Sequence, residues 1–543
     1  MPVAILSPRV KSATPIGRAN VGVRNYALLF FGCVLFHMAG TWSLPLIDRD
    51  EPRFAEASRE MIERGDYIVP RFNNQLRLDK PPLAYWAQTA SYRVFGQNDF
   101  AARFPSAFAA ALTALSIFAW GSRLRPPQRP SVSQAQIGEA RVGFWAAIIF
   151  TLSLQTFLHA KAAVADVWLV LFVTLANWAG YELLCDRLSP SPDQISNSPQ
   201  DESVRLADIK LATGRVRPTG GHQTSSWWWI FYLALALAFL AKGPIGWVPL
   251  VTVVATKLFL PNPQLAQRFK FMRGTLLMLT IVALWGIPAL TQTHGQFFIV
   301  GIGRHVVGRS FATMEGHGAN SFGMYLLLLP FYFVTIFISF FPWSIKLPWL
   351  TSKAWRRRDE IDNYLITGVA VIFIIFTLVK TKLPHYTLPA FPLLALLLAR
   401  HWSPQGGVAW SSFKRIAVAT ACCYLAIALI VPRLVARLFP AYQLFQESRR
   451  YLQPDMQFGS VEFDEPSLVW YFRSRVHGFL TLMNRNRAME FMAEAGPRFV
   501  IMPTSLVRTL FANHPETWKM FSTRGFNIAK GKHVDLTLVL KPE

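Results

Sequence analysis

The 543-residue sequence has little charge for its length, and few of its residues are acidic. Only 16% are charged, with 31 acidic against 55 basic residues, whereas 52% are hydrophobic and 14% aromatic. This composition excludes an ordinary soluble globular domain and is typical of a polytopic membrane protein. Its long apolar runs suit helices that cross a bilayer core, which needs about 20 apolar residues in helical form.

Cysteine is also scarce, and motifs for metals and nucleotides are missing. The four cysteines, Cys33, Cys185, Cys422 and Cys423, lie in or at the end of apolar runs, without the spacing of a metal site or a disulfide framework. The eleven histidines form no HExxH or paired motif, and no Walker motif indicates a nucleotide. The sequence therefore indicates no cofactor and no divalent metal.

The net charge of +24 does not indicate a nucleic acid partner. Many basic residues lie in short loops beside apolar runs, where the positive-inside rule and contacts with anionic membrane lipids explain them. The basic N-terminus before the first run predicts an uncleaved signal anchor with a cytoplasmic N-terminus. Since the basic loops alternate, eleven spans place the C-terminus outside.

Eleven apolar spans are predicted, and short interrupted segments would raise the count to thirteen. They lie at 25–46, 100–121, 142–160, 164–185, 227–242, 244–260, 274–291, 321–342, 364–380, 383–400 and 413–432. Residues 186–226, rich in Ser, Pro, Gln and Gly, predict a flexible cytoplasmic loop. We expect a transmembrane domain over 1–433, with interfacial helices at about 48–97, and a periplasmic domain over 434–543.

The chain changes character after about residue 440. Residues 459–472 and 498–503 predict short strands, 485–496 a helix that ends at Gly496, and 535–542 a final strand. Together they predict a small α/β domain outside the membrane. It has no recognisable catalytic motif, which favours packing or acceptor docking over chemistry.

The first apolar run ends in LPLIDRDEPRFAEASREM, residues 44–61, where Asp48, Asp50 and Glu51 precede a predicted helix. Apolar side chains recur on one face of this helix, charged ones occupy the other, and Gly65 can end it. Such a helix is expected in the membrane interface, with its N-terminal dipole favouring ionised carboxylates. The alternative is that these carboxylates only cap the helix.

Other isolated polar residues fall on the predicted outer side. In RLDKPPLAYW, residues 77–86, two prolines stiffen a turn after Asp79 and Lys80, and Tyr85 follows. A lysine held at headgroup depth suits a phosphate oxygen, although an ordinary snorkelling lysine would give the same pattern.

Three further outward hairpins carry candidate site residues. In HAKAAVAD, Asp166 begins a predicted membrane helix. A carboxylate there is energetically unfavourable unless it is paired with a cation or hydrated. The alternatives are a helix cap or a structural pair with Lys161. The hairpins AKGPIG and KTKLPHY supply Lys242, Lys382, His385 and Tyr386, each of which also fits an interfacial anchor.

These motifs resemble a known family. The Asp-Glu pair after the first span, the amphipathic helix and DKPPLAYW resemble the membrane glycosyltransferases of the GT-C fold that use lipid-linked sugars. The resemblance is closest to the aminoarabinose transferases of lipid A, and protein O-mannosyltransferases are more distant. FAARFPSA, KLPHYTLPAFP and EPSLVWYF extend it over nearly the whole chain.

The resemblance implies an inverting transfer from an undecaprenyl phosphate sugar to lipid A or another envelope glycolipid. The reaction would take place at the periplasmic face of the bacterial inner membrane. The implied catalytic residues are Asp50, Glu51 and Asp166. The implied donor phosphate-binding residues are Lys80, Lys382, His385 and Tyr386. Further candidates for lining the site are Asp48, Asp79, Tyr85, Lys161 and Lys242. Asp79 replaces a glutamate found in some aminoarabinose transferases, and Phe54 replaces a common tyrosine, which leaves the sugar and the acceptor open.

Two alternatives remain at this stage: a protein O-glycosyltransferase with the same donor class, and a transporter of polyprenyl-linked substrates. A transporter is expected to have ionisable residues near the bilayer midplane and two-fold internal repeats. The unusual charges of this sequence lie at one predicted face instead, which favours the transferase.

Overall fold

The computed structural model describes residues 22–124, 132–185, 220–258, 265–308, 321–402, 408–528 and 530–543. The α-helices of its first half are Val23–Met38, Asp50–Arg64, Leu83–Phe95, Asp99–Gly121, Val132–Thr151, Leu154–Ala160, Asp166–Cys185, Gly220–Lys242, Val248–Thr256, Leu265–Phe269 and Phe271–Gln292. Those of the second half are Phe322–Leu327, Phe331–Ser339, Leu347–Arg357, Glu360–Leu378, Phe391–Trp402, Val408–Val435, Pro440–Ser448, Pro466–Phe472, Arg485–Ala493 and Thr504–Leu510. Short 3-10 helices cover Pro244–Trp247, Trp343–Lys346, Pro384–Ala390 and Ala436–Leu438, and a π-helix covers Phe298–Gly308.

Each of the eleven predicted apolar segments contains a helix. By length and apolar composition five helices of the described ranges suffice to cross a membrane, or seven if each of two bent pairs forms one span. One bent pair is Val142–Thr151 with Leu154–Ala160, which meet at 67°, and the other is Phe331–Ser339 with Trp343–Arg356, at 120°. Pro342 lies in the second break, where a proline cannot continue a helix. The predicted polytopic helical fold is confirmed, and the count of eleven spans stays a prediction.

Small residues let the membrane helices approach closely. The alanine-rich helix Asp99–Gly121 packs against its neighbours Val23–Met38, Val132–Thr151 and Asp166–Cys185. At one crossing, a Cβ added to Gly143 would lie 2.3 Å from the carbonyl oxygen of Phe118. Tight packing of this kind is the means by which membrane helices associate, since lipid tails are as apolar as the helix surfaces.

A five-stranded sheet forms near the C-terminus. Its strands are β3 Gln457–Ser460, β4 Leu480–Leu482, β5 Arg498–Pro503, β6 Lys519–Asn527 and β7 Lys532–Lys541, preceded in the chain by a small hairpin of β1 Arg71–Phe72 and β2 Gln75–Leu76. The order in the sheet is β4-β3-β5-β7-β6, with β3 parallel to β4 and β5 and with β7 antiparallel to β5 and β6. The predicted small α/β unit is therefore present.

Two elements of this unit differ from the prediction. Residues 459–472 are not one strand: β3 ends at Ser460, and Pro466–Phe472 forms a helix with its proline in the first turn. Proline is favoured at that position because its missing N–H has no partner there in any helix. The predicted helix that ends at Gly496 already ends at Ala493, whereas the strand predicted at 498–503 is confirmed.

The helix Asp50–Arg64, called the site helix below, is the predicted amphipathic helix. Gly65 ends it in the left-handed conformation, at φ +67°. Much of its charged face, including Glu56, Arg59 and Glu60, is buried, and the helix packs against Pro466–Phe472, called the docking helix below.

Ion pairs and hydrogen bonds fill this buried contact. Arg59 donates to Glu56 Oε2 at 2.8 Å and to the carbonyl oxygen of Trp470 at 2.9 Å. Arg473, directly after the docking helix, pairs with Glu56 and with Glu63, the latter at 2.7 Å. The sheet unit is thereby attached to the segment that carries the candidate site.

Some sequence-based predictions concern residues outside the described ranges. These are the N-terminal anchor over 1–21 and most of the predicted cytoplasmic loop at 186–226. The sides of the membrane on which the termini lie also stay predictions.

Candidate functional site

The predicted outward segments meet around a cavity of about 490 Å³. Charged and polar side chains line one part of it, namely Asp79, Lys80, Asp166, Lys242 and His385. The remaining walls are apolar and include Phe239, Trp247, Val282, Trp285, Leu290, Phe297, Phe298, Ile302 and Phe376. A cavity of this kind suits a ligand that has an anionic head and a long hydrocarbon tail.

Asp166 is the most strongly paired carboxylate of the cavity. It is the first residue of the helix Asp166–Cys185, where the helix dipole favours a negative charge. Its Oδ1 forms an ion pair with Lys242 Nζ and lies 3.8 Å from His385 Nε2. Lys242 Nζ also lies 5.4 Å from the ring centre of Tyr386. Of the alternatives for Asp166, the structural pair with Lys161 is not the one formed, because Lys242 is its partner.

Lys242 reaches Asp166 because its helix ends there. Gly243 follows at φ +80°, a conformation open to glycine, and Pro244 begins a short 3-10 helix. The chain therefore turns back at once and leaves the lysine at the cavity wall.

His159 joins this cluster, although no sequence motif singled it out. Its ring centre lies 5.0 Å from that of His385, and His159, Asp166 and His385 offer ligand atoms within 4.8 Å of one another. Two imidazoles and a carboxylate are metal-compatible donors. Asp166 already forms an ion pair with the Lys242 ammonium, so a metal cation bound here would have to displace that ammonium.

The turn that carries Lys80 is held by a buried arginine. Arg77 Nε donates to Tyr85 Oη at 2.8 Å, and its guanidinium pairs with Asp79 at 3.2 Å. Lys80 Nζ lies 3.7 Å from Asp79 Oδ2. Asp79 and Lys80 line the cavity as predicted, whereas Tyr85 is fully buried behind them and stacks on Phe54.

Asp50 lies exposed at the first residue of the site helix. Its charge reaches the Lys80 turn: Arg77 and Tyr85 both have a raised pKa, and Asp50 contributes to each. In Arg77, burial alone would lower the pKa, and the phenol and carboxylates outweigh it. In Tyr85, burial is the main cause of the rise in pKa, which keeps the phenol neutral.

Glu51, next to Asp50, is buried and bonded within the protein. Arg103 donates to both carboxylate oxygens, at 3.0 and 2.7 Å, and the backbone N–H groups of Ile47 and Ala163 each donate at 2.7 Å. Only 4% of the residue is exposed. These bonds hold Glu51 within the protein and fix the start of the site helix, whereas its predicted catalytic role stays a prediction.

Two predicted site lysines turn away from the cavity and cap helices. Lys161 donates to the carbonyl oxygens of His37 and Ala39 at 2.8 and 2.7 Å, at the end of the first helix. Lys382, only 5% exposed, donates to the carbonyl oxygens of Phe376 and Thr377 at 3.1 and 2.5 Å. Both cations satisfy carbonyls that a helix end leaves without partners. Neither lysine is part of the cavity lining, and the phosphate-binding role predicted for Lys382 stays a prediction.

Asp48 faces the docking helix rather than the cavity. Its carboxylate accepts hydrogen bonds from Ser467 N at 2.9 Å and Ser467 Oγ at 2.6 Å. Burial raises the pKa of Asp48 to about 7, against the bonds from Ser467 that lower it. Asp48 therefore links the two parts of the chain.

The cavity combines three kinds of functional group. Lys80 and Lys242 offer positive charge to an anionic head, the carboxylate of Asp166 orients Lys242, and the aromatic and aliphatic walls accept a hydrocarbon. Asp50 adds an exposed carboxylate near the Lys80 turn. Transfer of a group from a lipid phosphate needs these same functions.

Comparison with known proteins supports the resemblance seen in the motifs. An undecaprenyl phosphate-alpha-4-amino-4-deoxy-L-arabinose arabinosyl transferase of Erwinia tasmaniensis is 27% identical over 403 residues, which cover 72% of this chain and 62% of that protein. A protein of the same name from Enterobacter sp. is 25% identical over 543 residues, covering 95% and 86%. The chain spans about 60% of the length of the first curated relatives that it matches. No family model matches.

A solved structure gives the fold. The crystal structure of ArnT from Cupriavidus metallidurans bound to undecaprenyl phosphate matches with a TM-score of 0.67 at 17% identity, covering 96% of this chain and 98% of that chain. The chain therefore has the fold of ArnT, and the predicted GT-C type fold is confirmed.

Proposed function

We propose that this chain is an inverting glycosyltransferase. It takes a sugar from a polyprenyl phosphate, undecaprenyl phosphate in bacteria, and transfers it to lipid A or another envelope glycolipid. The observation that carries the proposal is the cavity that joins Lys80 and Lys242 to long apolar walls. The names of the relatives and the undecaprenyl phosphate bound to ArnT support the same donor.

The donor head is expected at the polar end of the cavity. An ammonium is a compact charge that suits a phosphate oxygen, and Lys80 and Lys242 supply two of them. The tail then follows the apolar wall around Trp285 and Phe297. Because the tail comes from the bilayer and not from water, shape complementarity and van der Waals packing hold it there. Phosphate and tail together select a lipid-linked sugar over a nucleotide sugar.

The reaction is a single displacement at the anomeric carbon. The acceptor oxygen forms the new bond as the bond to the polyprenyl phosphate oxygen breaks, so the configuration inverts. Negative charge develops on the leaving phosphate, where Lys80 stabilises it. Lys242, oriented by Asp166, adds to this stabilisation.

Asp50 faces the acceptor. With a hydroxyl acceptor it takes the proton, a contribution of about 10²–10⁴-fold in rate. A lipid A phosphate is already ionised, and Asp50 then positions the reacting groups and stabilises the positive charge that develops on the anomeric carbon. Glu51 acts through the helix start that it fixes, not through the substrate.

The reaction takes place at the periplasmic face of the inner membrane. The predicted outward segments line the cavity, whereas the predicted cytoplasmic loops carry the basic residues of the positive-inside rule.

Mass spectrometry of envelope lipids tests the proposal. Cells that express the chain are expected to carry a glycosylated lipid that is absent from cells without it and from cells with Asp50→Asn or Lys80→Ala. Lys530→Gln, at an exposed ion pair of the sheet unit, serves as the matched control. Identical lipid profiles with and without the well-expressed protein would contradict the proposal, and sugar on proteins instead of lipids would change the acceptor class.

A further inference from the structure

Arg77 contacts three segments near the site: the end of the small hairpin, the site helix and the helix that begins at Leu83. The proposed reaction assigns it no role. Its backbone N–H donates to the carbonyl oxygen of Pro70 at 2.9 Å, beyond the small hairpin at 71–76. Its side chain is 8% exposed. The guanidinium carbon lies 5.0 Å from the ring centre of Phe54 on the site helix, and Nε donates to Tyr85 Oη at the start of the next helix. Burying the charge of an arginine is costly unless the charge is paired and its N–H groups are hydrogen-bonded.

Asp79 stands between two cations. Its Oδ1 lies 3.2 Å from Arg77 Nε, and its Oδ2 accepts from Arg77 Nη2 at 3.3 Å. The same Oδ2 is farther, at 3.7 Å, from Lys80 Nζ. Arg77 therefore donates a hydrogen bond to this carboxylate from Nη2 and adds a close ion pair through Nε, whose hydrogen goes to Tyr85. A hydrogen bond between ionised groups is stronger than one between neutral groups.

We propose that Arg77 is a positioning residue for the donor phosphate: it holds and neutralises Asp79, so that Lys80 can give its charge to the phosphate. This inference rests on the proposed function, because it assumes that Lys80 contacts a polyprenyl phosphate. Arg77 then sets how tightly the donor head binds.

The physical reason is competition between two anions for one ammonium. Asp79 precedes Lys80 and lines the same cavity, so its carboxylate is close to any phosphate that Lys80 binds. Like charges at such distances repel in a partly buried site, and a carboxylate that turned to Lys80 would replace the phosphate. Arg77 reduces both penalties because its own charge offsets that of Asp79 and the hydrogen bond from Nη2 holds the carboxylate.

Tyr85 completes the arrangement without adding charge. Its hydroxyl accepts from Arg77, and burial raises its pKa far above neutrality, so the ring stays neutral beside the phosphate site. The turn thus presents one negative group and two positive groups, a net charge that favours a phosphate.

The test measures binding of undecaprenyl phosphate to the purified full-length protein in detergent micelles, without any transfer reaction. Arg77→Leu is expected to weaken binding about tenfold, or about 1.4 kcal/mol. Asp79→Asn alone is expected to bind as tightly as wild type or more tightly. The double variant Arg77→Leu/Asp79→Asn is expected to regain wild-type affinity to within about threefold. Arg71→Leu, a partly exposed arginine of the neighbouring hairpin, is the control and is expected to bind as wild type.

The double variant separates charge compensation from a structural role. If Arg77 only held the fold, removing Asp79 as well could not restore affinity, so a double variant as weak as Arg77→Leu overturns the inference. Unchanged binding by Arg77→Leu overturns it too. Failure of the wild-type protein to bind undecaprenyl phosphate would overturn the proposed function, and this inference with it.

A conservative variant covers the case in which Arg77→Leu does not fold. Arg77→Lys keeps the charge but not the planar fork, so a smaller loss of affinity is expected. Restoration of that loss by Asp79→Asn supports the inference, and a loss that persists overturns it.

Discussion

Asp166 and Lys242 form an ion pair at the polar end of the cavity, although 76 positions separate them in the sequence. Each begins or ends a membrane helix, so the pair joins two helix ends at the point where the donor phosphate is expected. Neither side chain is fully buried, with 15% and 17% exposed, which leaves both within reach of a ligand.

A double-mutant cycle tests whether these two residues act as a unit. Asp166→Asn and Lys242→Met are each expected to lower stability and donor affinity, since each leaves the other charge unpaired. The double variant should lose less stability than the two single variants lose together, with a coupling energy of about 0.5–3 kcal/mol in thermal unfolding. The matched pair Arg123–Glu182, whose arginine is 48% exposed, should couple by less than about 1 kcal/mol. Strict additivity at Asp166 and Lys242 would contradict the pairing.

Two lysines from similar sequence motifs are expected to behave differently. Lys80→Ala should raise the KM for the donor at least about tenfold because a charge-assisted phosphate contact is lost. Lys382→Met should leave that KM unchanged and lower stability by about 1 kcal/mol, because it removes a helix cap. Steady-state kinetics and thermal unfolding of the two variants measure these effects. A raised KM in Lys382→Met would return that lysine to the phosphate site.

The adjacent carboxylates Asp50 and Glu51 are expected to separate into catalysis and stability. Asp50→Asn should lower kcat about 10²-fold or more while the unfolding temperature stays unchanged, because the side chain is exposed. Glu51→Gln should destabilise the protein by about 3–5 kcal/mol, because it leaves the buried Arg103 without its counter-charge. The reverse pattern, with a stable but inactive Glu51→Gln, would restore Glu51 to the catalytic set.

The raised pKa of Asp48 predicts that its contact with the docking helix depends on pH. Burial raises the pKa of this carboxyl to about 7, above its usual value of 3.8, so folding favours the protonated form. Its contribution to stability is fully present below about pH 4 and is lost as the pH rises through 7. Asp48→Asn should therefore flatten the fall of the unfolding temperature between about pH 4 and pH 7. Ser522→Ala, which removes a hydroxyl within the sheet, provides the control. An unchanged pH profile in Asp48→Asn would show that Asp48 stays ionised.

Local patterns predicted much of the fold and part of the site. Apolar runs located the membrane helices, and helical spacing with Gly65 located the site helix, because both depend on residues close in sequence. Prolines and hairpins likewise placed Lys80, Asp166 and Lys242 on one side, where they meet at the cavity.

The remaining features depend on distant partners that a local pattern cannot contain. A lysine near a helix end looks the same in the sequence whether it binds phosphate or caps carbonyls. The sequence therefore did not reveal that Lys161 and Lys382 bond to carbonyl oxygens. The sequence did not show that the charged face of the site helix packs against protein, because its partner Arg473 lies more than 400 residues away. Arg77 is the first residue of the motif RLDKPPLAYW. Its proposed role depends on contacts with Asp79 and Tyr85 that the sequence does not show.

A structure of the protein with undecaprenyl phosphate bound tests the central claim most directly. Phosphate density is predicted within hydrogen-bond distance of Lys80 Nζ, at the end of the cavity that holds Lys242, with the tail along Trp285 and Phe297. Phosphate density outside this cavity, or a tail that avoids these walls, would contradict the claim.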